Sequence, residues 1–216
     1  MMPFARTGRC LAALLTVFSA GPAAAQAYLK HNFTGTMGAG LPQADLRPLL
    51  SNSFGAGLSY HYRFIPYLAV EAGYETLFGA ARVRDFLQTD FGSLRIRDYQ
   101  QFLPFGGRVI LPLAGDRIQI YGGGGGAYLR YSERVRQPFQ DSGFRIDCAE
   151  CAIRDGIGYY ATAGVNVAVD RAQHFRVGVG TKVFRGATSG DPLGAVPGGE
   201  TSDRWVNVFA SFGFSF

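Results

Sequence analysis

Three groups of residues have types and spacings that could do chemistry. Cys148 and Cys151 form a Cys-x-x-Cys motif, and residues 121–128 read YGGGGGAY. The chain also has three histidines, at His31, His61 and His174. The cysteine motif could hold a metal, act in redox chemistry or form a disulfide. A glycine run could cradle a phosphate, and histidine could act as a general acid or base.

The glycine run lacks the rest of a phosphate-binding loop. Such a loop continues into Lys-Ser/Thr and a helix whose N-terminus meets the phosphate. Here Ala127, Tyr128, Leu129 and Arg130 follow, and this continuation is strand-like. Glycines also let a strand bend sharply and leave room beside it, and that structural interpretation is the one we favour.

The N-terminal segment has the layout of a secretory signal peptide. Arg6 and Arg9 precede an apolar stretch from Cys10 to Ala20, and small residues with Ala-rich cleavage options follow. The apolar stretch is too short to span a bilayer. We therefore predict a cleaved signal over residues 1–27 and a single exported domain over residues 28–216.

Composition excludes several classes of protein. Hydrophobic residues make up 47% of the chain, which argues against disorder. The formal net charge is only +5 and no dense Lys/Arg cluster is present, so we expect no nucleic-acid partner. No apolar run long enough for a transmembrane helix follows the signal segment.

The cysteine pair is interpreted in the light of export. The sequence offers no βαβ context for a redox motif, and two thiolates fall short of the four ligands that Zn²⁺ prefers. An exported chain meets an oxidising compartment. We therefore expect a local disulfide between Cys148 and Cys151, and no metal or other cofactor.

The strongest pattern in the chain is alternation with a period of two, which is typical of strands with two different faces. It predicts eight strands, over Phe33–Leu41, Ser53–Phe64, Tyr67–Phe78, Tyr99–Pro112, Ile118–Val135, Ile157–Val169, Phe175–Phe184 and Trp205–Phe216. The phase of the fifth is hard to read through Gly122 to Gly126. Long and short connections alternate strictly between these strands, as in an up-and-down meander.

The polar faces of these strands indicate what surrounds the sheet. A soluble barrel or sandwich would turn its apolar face inward, whereas a membrane barrel turns it to lipid. The polar faces are crowded with glycine, which suits a cramped lumen, and the strands are long enough to cross hydrocarbon. They also carry charges of both signs, which we expect to pair in the lumen: Glu71, Glu75, Arg108, Arg176 and Lys182.

With this strand count, loop order and C-terminus, the chain resembles the small eight-stranded outer-membrane β-barrels of Gram-negative bacteria, of the OmpA transmembrane-domain and OmpX type. The resemblance implies an all-β, antiparallel, up-and-down transmembrane barrel in the outer membrane. It also implies that the alternating C-terminus is a signal to the barrel-assembly machinery. The matching residues are Val208, Ala210, Phe212, Phe214 and Phe216.

Arginines flank two of the long loops, and their planar guanidinium groups suit phosphate. They are either ordinary solubilising charges or contacts to lipopolysaccharide phosphates. The residues concerned are Arg82, Arg84, Arg95, Arg97, Arg130, Arg134 and Arg136.

These observations lead to a functional expectation. We expect a monomeric, non-enzymatic structural and surface-interaction protein, with outer-membrane lipid and an unidentified extracellular ligand as partners. The first alternative is a narrow, gated, porin-like pore. The second is a lipid-modifying enzyme, which needs a base, a nucleophile and an acid together. His61 and His174 map to the half with short turns and His31 precedes the first strand, so no such set converges on the outer leaflet.

Overall fold

The computed structural model describes residues 28–43, 47, 50–79, 86–89, 92–135, 152–190 and 198–216. Within these ranges the chain forms nine β-strands. They are β1 (His31–Gln43), β2 (Ser53–Ile65), β3 (Leu68–Phe78), β4 (Phe86–Thr89), β5 (Gly92–Leu113), β6 (Ile118–Val135), β7 (Ala152–Ala168), β8 (Phe175–Gly190) and β9 (Gly199–Ser215). No helix in the described part of the chain is long and apolar enough to cross a membrane.

Eight of the nine strands form a closed antiparallel ring. The sheet order runs β3-β2-β1-β9-β8-β7-β6-β5, and a further pairing of β3 with β5 closes it. The ninth segment, β4, pairs only with the start of β5, as a short hairpin. The predicted eight-stranded, up-and-down antiparallel β-barrel is confirmed.

The first and last strands of the chain are neighbours in the ring. Their register runs from Asn32 opposite Ser215 to Gln43 opposite Arg204. Beyond it, the backbone amides of His31 and Phe216 each donate to the other residue's carbonyl at 2.9 Å. The closed ring therefore has no free edge, and three short turns and both of these residues lie at one end, here called the turn end. The opposite end is called the loop end.

The two faces of each strand differ in the way the alternation predicts. Apolar side chains on the outward face are exposed, and the extremes include Leu58 at 71% and Phe105 at 68%. Charged side chains on the inward face are buried, with Glu71 and Lys182 each 2% exposed. The barrel thus exposes an apolar wall and buries charged side chains in its lumen, the reverse of a soluble protein.

Several strands extend further toward the loop end than the alternation predicts. β5 begins at Gly92 rather than Tyr99, β7 at Ala152 rather than Ile157, and β9 at Gly199 rather than Trp205. The extension of β9 is polar on both faces, so hydropathy gives no period there. Those of β5 and β7 do contain apolar residues, Leu94, Ile96 and Ile153, but in stretches too short and too highly charged to be assigned as strands from the pattern. The predicted loop before β5 also contains β4, which the sequence pattern did not reveal.

The structure also resolves the phase of β6. Tyr121 is opposite Gly164 and Leu129 is opposite Gly156, so the odd-numbered residues of β6 face the lumen. Tyr121 and Leu129 are buried there. Glycine carries no hydropathy signal, and the register with the neighbouring strands is what fixes this phase.

Two of the short turns have defined local geometry. In the β5–β6 turn, Ala114, Gly115 and Asp116 have φ of 49°, 68° and 68°. In the β7–β8 turn, the Asp170 carboxylate accepts hydrogen bonds from the backbone amides of His174 at 3.1 Å and Phe175 at 2.9 Å. Partial desolvation acts to raise the pKa of Asp170, but these hydrogen bonds outweigh it and lower the pKa.

Gly125 has a packing role that its neighbour Gly126 lacks. A Cβ added at Gly125 would collide with the backbone of Phe105 and Gly106 on β5, whereas at Gly126 the nearest atom lies 4.0 Å away. We therefore expect Gly125→Ala to lower the free energy of unfolding by about 1–3 kcal/mol, because it forces the strands apart. Gly126→Ala should be nearly neutral. Urea titration of the refolded barrel, followed by tryptophan fluorescence, compares the two, and equal stabilities would contradict this role.

Candidate functional site

The lumen brings together the charged residues that the alternation places inside, and the first cluster is centred on Glu71 of β3. Arg108 Nη2 lies 2.5 Å from Glu71 Oε2, and the Tyr160 hydroxyl donates to Glu71 Oε1 at 2.6 Å. His61 Nε2 lies 3.4 Å from Glu71 Oε2. Strands β2, β3, β5 and β7 each supply one of these side chains, so this one carboxylate links four strands across the barrel.

A second cluster lies beside the first and is centred on Glu75, four residues further along β3. Lys182 Nζ of β8 donates to Glu75 Oε1 at 2.6 Å, and Asn207 Nδ2 of β9 donates to Glu75 Oε2 at 3.1 Å. The Lys182 ammonium also lies 5.8 Å from the centre of the Tyr160 ring. In a closed interior these contacts replace the water that the ions would lose.

A third cluster closes the turn end and is built around Asp116, which the β5–β6 turn directs inward. Arg63 Nη1 donates to Asp116 Oδ2 at 2.8 Å, and Gln119 Nε2 donates to Oδ1 at 2.9 Å. Arg176 Nη2 lies 3.3 Å from Oδ2, and its Nη1 donates to the Asp116 backbone carbonyl at 2.9 Å. Two guanidinium groups, from β2 and β8, thus share one carboxylate.

Between the Glu75 cluster and the loop end, the lumen is filled by an apolar layer. The rings of Phe102 and Phe184 stack with centroids 4.2 Å apart, and Trp205 meets Phe102 edge-on at 6.1 Å. These three side chains and Leu129 are fully buried. The layer spans the barrel, because its members come from β5, β6, β8 and β9.

A polar cluster follows at the loop end. Asp203 accepts hydrogen bonds from the hydroxyls of Thr188 at 2.7 Å and Thr201 at 2.8 Å. Arg154, which is 1% exposed, donates to the Gly199 carbonyl at 2.7 Å and to Thr201 Oγ1 at 3.2 Å. These bonds hold β7, β8 and β9 together above the aromatic layer.

The structure thus pairs four of the five charges expected in the lumen, Glu71 with Arg108 and Glu75 with Lys182. The fifth, Arg176, does not join them. It lies six residues from Lys182, about 20 Å along β8, and pairs with Asp116 instead. The sequence did not predict the role of Asp116, because alternation assigns inward and outward faces only within strands and Asp116 lies in a turn. It also missed the aromatic layer, although Phe102, Phe184 and Trp205 all stand in the inward phase of their strands.

The other sequence-predicted residues lie outside the lumen or outside the described residues. The C-terminal signal residues Val208, Ala210, Phe212, Phe214 and Phe216 are exposed on the outward face. Arg97 is exposed, and the register places it opposite Arg134, whereas Arg130 is half-buried and opposite Asp155. Of Arg95 and Arg134 only the backbone is described. The predictions on residues 1–27, Arg82, Arg84, Arg136, Cys148 and Cys151 lie outside the described residues.

Comparison with solved structures identifies the fold. The chain is similar to the outer membrane protein OprG from Pseudomonas aeruginosa, with 16% identity over 88% of this chain and 98% of that one, at a TM-score of 0.54. It is similar to Neisserial surface protein A, with 13% identity over 86% of this chain and 97% of that one, at a TM-score of 0.52. It is also similar to Ail of Yersinia pestis, with 12% identity over 88% of this chain and 100% of that one, at a TM-score of 0.50.

No protein-family model and no curated protein matches the chain. At these identities the similarity establishes the fold, which is that of the small eight-stranded outer-membrane β-barrels.

The Asp116 cluster yields a stability prediction. Asp116→Asn removes the carboxylate that contacts the guanidinium groups of both Arg63 and Arg176, whose side chains are 5% and 2% exposed. Loss of one partner from such a buried set should lower the free energy of unfolding by about 3 kcal/mol. The exposed residue Glu200 provides the charge-matched control, and Glu200→Gln should change the free energy of unfolding by less than about 0.5 kcal/mol. Urea titration measures both, and equal effects would contradict the proposed pairing.

Proposed function

We propose that this chain is a non-enzymatic bacterial outer-membrane protein whose closed barrel is a scaffold for surface interactions made by its loops. The observation that carries the proposal is the filled lumen. Three ion-pair clusters and one stacked aromatic layer occupy it between the turn end and the loop end. A barrel of this kind anchors and displays the loops, and does not transport solutes.

The outward face supports the membrane location. Large apolar side chains are exposed around the wall, including Ile157 at 80%, Met37 at 62% and Phe212 at 54%. Exposing a continuous apolar surface of this extent to water would be unfavourable for a monomer, whereas contact with the hydrocarbon of a bilayer is favourable. The short turns would then face the periplasm, and the longer connections would face the cell exterior.

The aromatic layer is the strongest obstacle to conduction. Phe102 and Phe184 are in direct stacking contact, and Phe184 also lies 5.8 Å from Tyr160, centroid to centroid. An ion passing this level would have to lose its water without gaining any ligand, which is costly in an apolar constriction. The side chains would have to move apart before a solute could pass.

Planar-bilayer recording tests the closed lumen. The wild-type protein should give no discrete current steps. A Phe102→Ser, Phe184→Ser, Asp116→Ser triple variant should give more current than the wild type, because it replaces two rings of the apolar layer with small polar groups and removes the carboxylate that joins the cluster at the turn end. Val179→Ala, on the lipid-facing side of β8, serves as the control and should stay silent. Regular openings of the wild-type protein would contradict the scaffold proposal.

The charge clusters favour one alternative, a narrow gated pore. Lys182 pairs with Glu75 close to the Glu71–Arg108 pair, and a change of partners between the two carboxylates would rearrange the lumen. On that alternative, wild-type openings appear and their frequency changes in Glu75→Gln or Arg108→Gln. Silence of the wild type and of both variants removes it.

The contacts of the three histidines are the reason why this proposal includes no hydrolytic centre. His31 Nδ1 pairs with the Tyr60 hydroxyl at 2.7 Å, and His174 Nδ1 with the Ser215 carbonyl at 2.7 Å. His61 is buried between Glu71 and Asn32 in the lumen. Among the described residues, none of the three contacts a serine hydroxyl. Mass spectra of lipid A and phospholipids that change when the protein is overproduced would argue for an enzyme.

The C-terminal phenylalanine gives a further prediction, on assembly. Phe216 is half exposed, and its ring stacks on His31 with centroids 5.1 Å apart. If it is mainly a recognition signal, Phe216→Ser should strongly reduce assembled protein in cells but leave detergent refolding of the purified chain nearly unchanged. Heat-modifiable gel mobility reports both. Phe175→Ser, at the same end of the barrel, is the control, and it should affect assembly in cells and refolding in detergent to a similar extent.

A further inference from the structure

Two arginines stand side by side on the outward face, apart from the lumen clusters. Arg185 of β8 is directly opposite Arg204 of β9 in the register, and both side chains are exposed. Tyr159 of β7 is opposite Arg185 on the other side and is 57% exposed. The alternation of β8 and β9 directs both guanidinium groups away from the barrel and onto the same patch of wall.

This arrangement is unfavourable for the protein alone. Side chains directly opposite on antiparallel strands have Cβ atoms about 5 Å apart, and like charges there repel. Neither arginine has an ion pair with any described carboxylate. Asp155, on the same face of β7, accepts a hydrogen bond from the Tyr128 hydroxyl at 2.8 Å. The pair therefore lacks a counter-ion within the described residues.

The height of the pair along the wall indicates which counter-ion it meets. Arg185 lies ten residues after Phe175, and Arg204 ten residues before Phe214, which is opposite Phe175. Ten residues span about 33 Å along a strand, or about 25 Å across the membrane at a typical tilt, which is the height of the apolar band. The outward residues in between are uncharged: Val177, Val179, Thr181 and Val183 on β8, and Val206, Val208, Ala210 and Phe212 on β9.

We propose that Arg185 and Arg204 form a binding site for the phosphate group of a phosphorylated lipid at the outer interface of the membrane. One phosphate between two guanidinium groups accepts charge-assisted hydrogen bonds from both and cancels their repulsion. Tyr159 supplies the amphipathic ring that favours the same depth. This site rests on the proposed outer-membrane location, and it differs from the loop-flanking arginines predicted from the sequence.

The test measures the heat-induced loss of folded gel mobility in neutral detergent micelles. The wild-type midpoint should rise with bisphosphorylated lipid A, and much less with the same lipid after phosphate removal. Arg185→Gln and Arg204→Gln should each weaken the apparent affinity at least about tenfold. Arg171→Gln removes an exposed arginine from a turn at the opposite end, and it should behave as wild type.

A second variant keeps the test decisive if the glutamine variants fold poorly. Arg204→Glu places a carboxylate opposite Arg185, so it should raise the midpoint without lipid and abolish the response to lipid A. An equal response of the wild type to dephosphorylated lipid A, or of Arg204→Glu to lipid A, would overturn the site. An equal rise with inorganic phosphate alone would overturn its assignment to a lipid. Insertion of the wild type and these variants into vesicles tests the membrane location separately.

Discussion

Closure of the sheet is the constraint on which the rest of this structure depends. A strand edge exposed to hydrocarbon leaves backbone donors and acceptors unpaired, at several kcal/mol for each group. The pairing of β1 with β9 removes the last two edges, from Asn32 and Ser215 to Gln43 and Arg204. Once the ring of eight strands is closed, each strand has one face toward the surroundings and one toward a narrow lumen. The alternation along the sequence follows from that geometry.

The narrow lumen in turn determines how its charges are arranged. The lumen carboxylates of Glu71 and Glu75 are buried, and hydrogen bonds from other strands offset the cost of removing them from bulk solvent. Glu71 takes them from Arg108 and Tyr160, and Glu75 takes them from Lys182 and Asn207. These bonds run across the barrel, whereas the sheet hydrogen bonds run around it. The clusters therefore brace the wall from within, and the aromatic layer fills the level between the Glu75 and Asp203 clusters.

The sequence predicted the fold well because period-two alternation is strong wherever one face is apolar, as from Val177 to Val183. It failed where that contrast is missing, in the polar start of β9 and in the phase of the glycine run of β6, and it missed the short strand β4 and the early start of β5. Within the site, the inward charges could be predicted from phase alone. Their partners could not, since pairing depends on the height at which each strand crosses the barrel. Arg176 and Lys182 share a face of β8 but lie at different heights, and Asp116 reaches the first of them from a turn.

The arginines show why register carries more functional information than composition. Arg63, Arg108 and Arg176 face the lumen, and each pairs with a carboxylate held at a matching height. Arg185 and Arg204 follow the opposite phase, and the register sets them against each other at the edge of the apolar band. The inner group finds its counter-ions within the fold. The outer pair has no carboxylate partner among the described residues, so the counter-ion we propose for it comes from the surroundings. The register, and not the number of arginines, distinguishes these two groups.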